Sequence, residues 1–294
     1  MTMNSINTNT QSLIALQSLN ATNAQISVTQ KRVSTGYRVA DAKDDGGAFA
    51  VAQAVRSDVA GVIAVGEQLG GIKGILETTF AALSVVSDSM KQIRAVLTRL
   101  ADAGISADQR RTYTEQYELL ADQVGKFVDD ATYNGRTLLQ LSLTTVTTTS
   151  GSTTSTAVIG SANGGDITAI RNESGGTFTI KAVDGSRLKL PTDAPADVAE
   201  AQRWIQTDGV FDLSDKQISL ALNQFGSAMA FVDNQLKYNA QKVDAMEGGL
   251  GALVDADLAK ESSALEALKV RQQLGVQTLG LANQGPQVLL GLFR

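Results

Sequence analysis

The chain of 294 residues contains no histidine and no cysteine. Those two absences remove disulfides, thiol nucleophiles, imidazole bases and Cys/His zinc sites. A cysteine-free chain cannot report its redox compartment, but it is safe from thiol oxidation outside a cell. Only three prolines occur, Pro191, Pro195 and Pro286, which leaves residues 1–190 free of the strongest helix breaker. One tryptophan and 5% aromatic residues argue against a large aromatic-rich globular core. Positive charge is in deficit, with a formal net charge of -5, so nothing electrostatic favours nucleic acid. Met1–Asn20 lacks both a basic stretch and an apolar core and is not a Sec-type signal peptide. No uninterrupted run of about 18 apolar residues is found, so no membrane insertion is expected. An extracellular destination would need another export route.

What the chain has in abundance is Ala, Leu, Val, Gln and Asp, a composition suited to long helices with narrow apolar seams. Residues 214–250 show the clearest case. Ile218, Leu222, Phe225, Met229, Val232, Leu236, Val243, Met246 and Leu250 recur in alternating steps of four and three, with Asn239 as one polar interruption. Ser214 and Gln217 have capping-box spacing at its start. Residues 48–100 carry a similar seam through Val55, Val59, Val62, Leu69, Ile72, Leu76, Leu83, Val86, Met90, Ile93, Leu97 and Leu100. Such a helix reaches about 80 Å, with Gly61, Gly66, Gly70, Gly71 and Gly74 marking a candidate break or bend. A shorter helix is predicted over 107–130 from Tyr113, Tyr117, Leu120, Val124 and Phe127, followed by a turn at Asn134-Gly135.

Residues 141–202 differ in kind, being rich in Thr, Ser, Gly and Asp. Alternating β-branched and polar residues predict short strands at 155–158, 166–171, 176–182 and 187–190. The Ser/Thr run 142–157 reads as partly flexible surface.

Both ends carry half-polar seams. Leu16, Leu19, Ile26 and Val33 alternate with Asn23 and Gln30. Val254, Leu258, Leu265, Leu268 and Leu279 share a line with Glu261, Gln272 and Gly275. Each is a poor helix alone in water, but two can satisfy one another, or many copies can. Pro286 is expected to end the last helix, and the apolar tail Val288, Leu289, Leu290, Leu292, Phe293 calls for burial in an assembly.

Two pseudo-motifs carry no chemistry. Asp41, Asp44 and Asp45 lack the alternation and distal Glu of a calcium loop and read as a solvated turn with Gly46-Gly47. Gly70-Gly71-Ile72-Lys73-Gly74 lacks the spacing and preceding strand of a phosphate loop.

At the start stand Ser5-Ile6-Asn7-Thr8-Asn9, Ser12-Leu13, Leu19-Asn20, Arg32-Val33-Ser34-Thr35-Gly36, Arg38-Val39, Ala42, Asp44-Asp45 and Arg56. At the end stand Gln272-Gln273, Gly275, Leu279, Ala282-Asn283-Gln284, Pro286-Gln287 and Leu292-Phe293-Arg294. In these residues the chain resembles the bacterial flagellin family, in a short form similar to alphaproteobacterial members. The resemblance covers about 1–137 and 205–294.

The resemblance implies a mainly α fold, an elongated antiparallel bundle or coiled coil built from both chain ends, with a small β-hairpin insert. It implies halves of an inner-core coiled coil at 1–45 and 248–294, outer-core helices at 46–137 and 203–247, and an exposed variable region at 138–202. The inner-core assembly residues it implies are Ile6, Leu13, Leu16, Leu19, Ile26, Val33, Leu258, Leu265, Leu268, Gln272, Leu279, Asn283, Leu290, Phe293 and Arg294. Arg32, Arg38, Asp44 and Asp45 are implied as a connector in which the arginines pair with the acids. Some related flagellins carry O-linked sugars, which places candidate glycosylation at an unread position within 142–190; an intact mass equal to the sequence mass would exclude it.

The implied function is a non-enzymatic subunit, exported unfolded by the flagellar type III apparatus, that polymerises with itself into the flagellar filament. No cofactor and no metal is expected. The implied partners are an export chaperone on the C-terminal segment and the filament cap and hook–filament junction proteins. A hook–filament junction protein shares these ends and is the alternative. A protease built on the same frame needs a His-Glu-x-x-His insert, which a chain without histidine lacks. A soluble helical adaptor would keep both ends ordered as a monomer.

Overall fold

The computed structural model describes residues 9–140, 144–150, 153–159 and 164–292. The fold is mainly α. Six helices are described: α1 (Thr10–Thr35), α2 (Gly46–Leu100), α3 (Ala107–Asp129), α4 (Val198–Ile205), α5 (Val210–Val254) and α6 (Leu258–Leu292). Between α3 and α4 lie β1 (Leu139–Gln140), β2 (Thr144–Ser150), β3 (Thr153–Ile159), β4 (Ile167–Ile170), β5 (Thr177–Ile180) and β6 (Val183–Asp184). They form three two-stranded pairings: β1 with β6 in parallel, β2 with β3 and β4 with β5 antiparallel. The chain divides into two compact units, residues 1–59 with 244–294, and residues 60–243.

The second unit holds the larger core. Its portion of α2 buries Leu69, Leu76, Leu83, Met90, Ile93 and Leu97 against Tyr117 and Val124 of α3 and Ile218, Phe225 and Val232 of α5. These are the residues of the predicted seams. Helix α2 runs unbroken through its glycines, so of the candidate break or bend the break is not found. At Gly74 the glycine has a packing reason, because a Cβ there would lie 2.8 Å from Cζ of Tyr133. Tyr133 sits at the base of the Asn134-Gly135 turn, whose two residues have φ of 49° and 73°. Two hydrogen bonds close that turn, the Tyr133 N–H donating to the Arg136 carbonyl and the Arg136 N–H to the Tyr133 carbonyl, the geometry Asn-Gly favours. The run Gly70–Gly74 is helical, and Lys73 pairs with Asp233 of α5 at 2.7 Å.

Asn239, the polar break in the α5 seam, is buried. Its amide and that of Gln235 both donate to the carbonyl of Arg171, at the tip of the β4–β5 hairpin. Beside them, Lys242 pairs with Glu173 at 2.5 Å. A seam position given to amide chemistry therefore fastens the insert to the helix.

Several expectations change. Helix α5 begins a turn before Ser214, which is buried inside the helix rather than capping it with Gln217. Phe211 is drawn fully into the core, and the Asp212 carboxylate accepts the Asp208 N–H, so the start moves upstream. A capping box does exist, at α3, formed by Ser106 and Gln109. Residues 187–190 form no strand. Asp184 instead caps a 3-10 turn, Gly185–Arg187, which carries Leu188 into the core without a strand partner. The strand expected at 155–158 is part of β3, which pairs with β2, an unexpected strand within the Ser/Thr run, with Thr144 opposite Ile159 and Ser150 opposite Thr153.

Helix α6 continues through Pro286 to Leu292, so the proline does not terminate it. Val254 closes α5 and packs with Val39 and Ala52 rather than joining the α6 seam. Helix α2 also contains an 18-residue stretch of mean hydropathy 1.5, long and apolar enough to cross a membrane by length and composition alone.

Tyr117 is buried and its hydroxyl donates to the Pro191 carbonyl at 2.8 Å. Burial pushes the phenol well above its ordinary value of 10.0. Because the folded value is the higher one, this contribution is complete below the ordinary value and declines as pH rises past it. Tyr117→Phe is expected to cost about 1 kcal/mol at neutral pH. It should also flatten the fall in melting temperature above about pH 10. Equal alkaline slopes for both proteins would contradict this.

Candidate assembly interface

In the first unit α1 packs antiparallel along α6. Along α1 the buried or half-buried seam positions are Ser12, Ala15, Leu19, Thr22, Ile26, Thr29 and Val33, with Lys31 and Arg32 also half-buried near its end. Along α6 they are Glu261, Leu265, Leu268, Gln272, Gly275, Leu279 and Ala282, with Ala264 beside them. Both sets alternate steps of three and four, which keeps one face of each helix on the other. The seam is thus shorter in side chain than the sequence suggests. Thr22 and Thr29, not Asn23 and Gln30, fill α1 between its aliphatic positions. The Thr22 hydroxyl donates to the Ser18 carbonyl one turn back, which spares it an unpaired burial.

Polar rungs set the register. The Asn9 amide donates to the Ala282 carbonyl at 2.8 Å and the Ser12 hydroxyl to Asn283 Oδ1 at 2.8 Å. Gln272 donates to Asn23 Oδ1 at 2.7 Å, and Arg32 pairs with Glu261 at 3.0 Å. Between them Leu19 faces Gly275, where a Cβ would come within 3.3 Å of the leucine Cδ1. As α1 advances, α6 recedes nearly one residue for one.

Outward faces of the same helices are apolar and uncovered. Leu13, Ile14, Leu16 and Val28 on α1 are exposed, as are Leu258, Val270, Leu274, Val276 and Leu281 on α6. The residues read from sequence therefore divide. Leu19, Ile26, Val33, Leu265, Leu268, Gln272 and Leu279 lie in the seam, whereas Leu13, Leu16, Leu258 and Asn283 face solvent. Leu290 lies within α6. Ile6, Phe293 and Arg294 lie outside the described residues.

The connector is built differently from the expected arginine–acid pairing. Lys31, which the sequence reading passed over, reaches both Asp41 and Asp44 at 2.7 Å. Asp41 foremost holds the lysine's pKa up, and the lysine holds both carboxylates down. Asp45 accepts the Ala48 N–H at the start of α2. Arg38 reaches across to the Leu253 carbonyl, while its own N–H and that of Val39 bond to the Val254 carbonyl. Gly36 ends α1 at φ 74°, and its carbonyl accepts from Ala256. The α1–α2 and α5–α6 connectors are therefore bonded to one another. Arg32 belongs to the α1–α6 rung instead.

Two family models match the two ends of the chain. The bacterial flagellin N-terminal helical region matches residues 6–144, and the bacterial flagellin C-terminal helical region matches residues 213–293. The chain belongs to the bacterial flagellin family. This flagellin is 31% identical over 296 residues to flagellin FljK of Caulobacter vibrioides, covering 100% of both chains. It is 33% identical over 310 residues to a flagellin of Brucella melitensis, covering 99% of this chain and 100% of the other. A crystal structure of Bacillus cereus flagellin is 21% identical, covers 59% of this chain and 88% of that one, and gives a TM-score of 0.48.

As a flagellin, the protein is a structural subunit that polymerises into the extracellular filament of the bacterial flagellum. Both matched regions are flagellin regions, which does not favour the hook–filament junction alternative.

Proposed function

We propose that the α1–α6 unit is the part through which subunits of this flagellin join, and that the protein performs no catalysis. The observation that carries the reading is the pair of uncovered apolar faces on helices whose mutual seam is narrow and half polar. A monomer gains little by leaving Leu13, Ile14, Leu274 and Leu281 in water, whereas neighbouring copies can cover them. Contacts of that kind repeat from copy to copy without closing, which gives an open helical polymer.

On this reading residues 1–45 and 248–294 form the inner core. Residues 46–137 and 203–247 form the outer core, and 138–202 face solvent. Val51, Ile63 and Val85 of α2, exposed in the single chain, meet neighbouring subunits rather than lipid. The export chaperone holds the C-terminal segment before secretion, and the cap and junction proteins meet the same ends at the filament's extremities.

The test is negative-stain electron microscopy of the purified chain after addition of short filament seeds. Filaments about 100–200 Å wide are expected, from helices of about 1.5 Å per residue set along the axis. Persistent monomer with protease-resistant ends would instead mean that α1 and α6 satisfy each other and need no neighbours.

A further inference from the structure

Helix α6 contains a proline six residues before the last described one, and the helix does not stop there. A proline has no N–H, so the carbonyl four residues earlier loses its usual donor. For Pro286 that carbonyl belongs to Ala282. It accepts instead from the side-chain amide of Asn9, at 2.8 Å. The other end of the same amide is also used: Asn9 Oδ1 accepts the Ser12 N–H at 3.1 Å and caps the start of α1. One turn on, Ser12 Oγ donates to Asn283.

From this geometry we infer that Asn9 is a positioning residue for assembly, a latch that stands in for the missing proline N–H and makes the first turn of α1 and the last turns of α6 order together. The inference rests on the reading of the α1–α6 unit as the joining element. The chemistry is demanding. The residue must donate at one end and accept at the other, and it must be short enough to cap a helix. Asparagine does both; aspartate can only accept. Aspartate is as good an N-cap as asparagine, so a residue that served α1 alone would tolerate it. At the latch it sets a carboxylate against the Ala282 carbonyl.

Pro286→Ala supplies the second half of the test, because it returns to Ala282 the intrahelical donor that Asn9 replaces. The measurement is the critical concentration for elongating seeds at neutral pH, for wild type, N9D, P286A and N9D/P286A. N9D is expected to raise it about tenfold, the scale of a lost hydrogen bond with an unpaired group left behind. P286A should stay near wild type, and N9D in the P286A background should cost less than about twofold. Wild-type behaviour of N9D would overturn the latch, and so would an equal N9D penalty with and without Pro286. Failure of P286A itself to elongate would also overturn it.

Amide exchange of residues 287–292 in the unseeded chain gives a second readout, quickened by N9D and restored in N9D/P286A. That pattern without any seeded growth, even of wild type, would sink the assembly reading and keep the latch. Growth of wild type without that pattern would do the reverse.

Discussion

Replacing Glu261 by lysine is expected to stop filament growth at concentrations where the native subunit elongates seeds freely. Glu261 holds Arg32 across the α1–α6 seam at 3.0 Å, with its side chain 15% exposed and that of Arg32 34% exposed. Arg32 Nε is buried with no partner of its own among the described residues, so the carboxylate is the guanidinium's main compensation. Arg32 also stands in the last turn of α1, where positive charge suits the helix end. E261K sets two cations face to face at this point. Breaking a fully buried pair costs about 3–5 kcal/mol. The partial exposure here brings the expected cost to about 2 kcal/mol or slightly more. That corresponds to a critical concentration raised about thirtyfold, repeated at every subunit. The reversed pair R32E/E261K should recover most of it, because the charges again attract even though Arg and Lys differ in reach. The melting transition of the 60–243 unit serves as an internal control and should not move. Normal growth of E261K would show that the rung is ornamental, and no recovery in the double variant would show that Glu261 acts through something other than Arg32.

Gly209→Ala should be the most damaging single-methyl change in the 60–243 unit. An added Cβ at Gly209 would lie 2.2 Å from the Arg203 carbonyl oxygen and 2.4 Å from that of Trp204. Both obstacles are backbone atoms at the end of α4 and neither can rotate away. The junction is fixed on every side. Gly209 donates to the Gln206 carbonyl, Leu213 donates back to Gly209, and Asp208 already holds a φ of 63°. Trp204 packs against Tyr117 with ring centroids 5.8 Å apart, so a shift of α4 would disturb the core as well. A cost above about 4 kcal/mol is expected, in the range reserved for backbone conflict and core disruption. In a unit of this size that lowers the melting temperature by about 8–16 °C. Circular dichroism of the monomer checks it; a change under about 2 °C would mean that the α4–α5 junction yields easily.

The long helices were legible because packing against another helix leaves a period in the sequence. Every predicted seam residue of α2 from Val62 on, and of α5 from Ile218 to Leu236, is buried or half-buried. The misses share a cause: each depends on a partner distant in the chain. Asn239 looks like a flaw until the Arg171 carbonyl is set against it. Pro286 reads as a stop until Asn9 supplies its missing donor. Thr22 and Thr29 carry hydroxyls and, like the asparagine and glutamine beside them, do not read as core, and only the facing helix selects them. Leu188 and Leu190 alternate as a strand does, yet among the described residues no neighbouring strand is placed to pair with them. The connector shows the same limit for charge, since Lys31 is one cation among several near three aspartates and proximity in sequence does not choose among them.

The antiparallel course of α1 and α6 brings Asn9 beside Ala282, so the two ends of the chain meet at one end of their helix pair. A force drawing those ends apart loads the rungs in sequence, Asn9 first, then Ser12, then Asn23 with Gln272, and Arg32 with Glu261 last. Each rung yields alone, at the modest net strength of one hydrogen bond or ion pair in partial contact with water. The pair therefore peels under tension, where a parallel pair pulled at opposite ends would resist by shear with all its contacts at once. A subunit drawn out into an extended thread would meet little mechanical resistance from this helix pair, and the pair would zip in the opposite order, from the connector outward, when the tension is released.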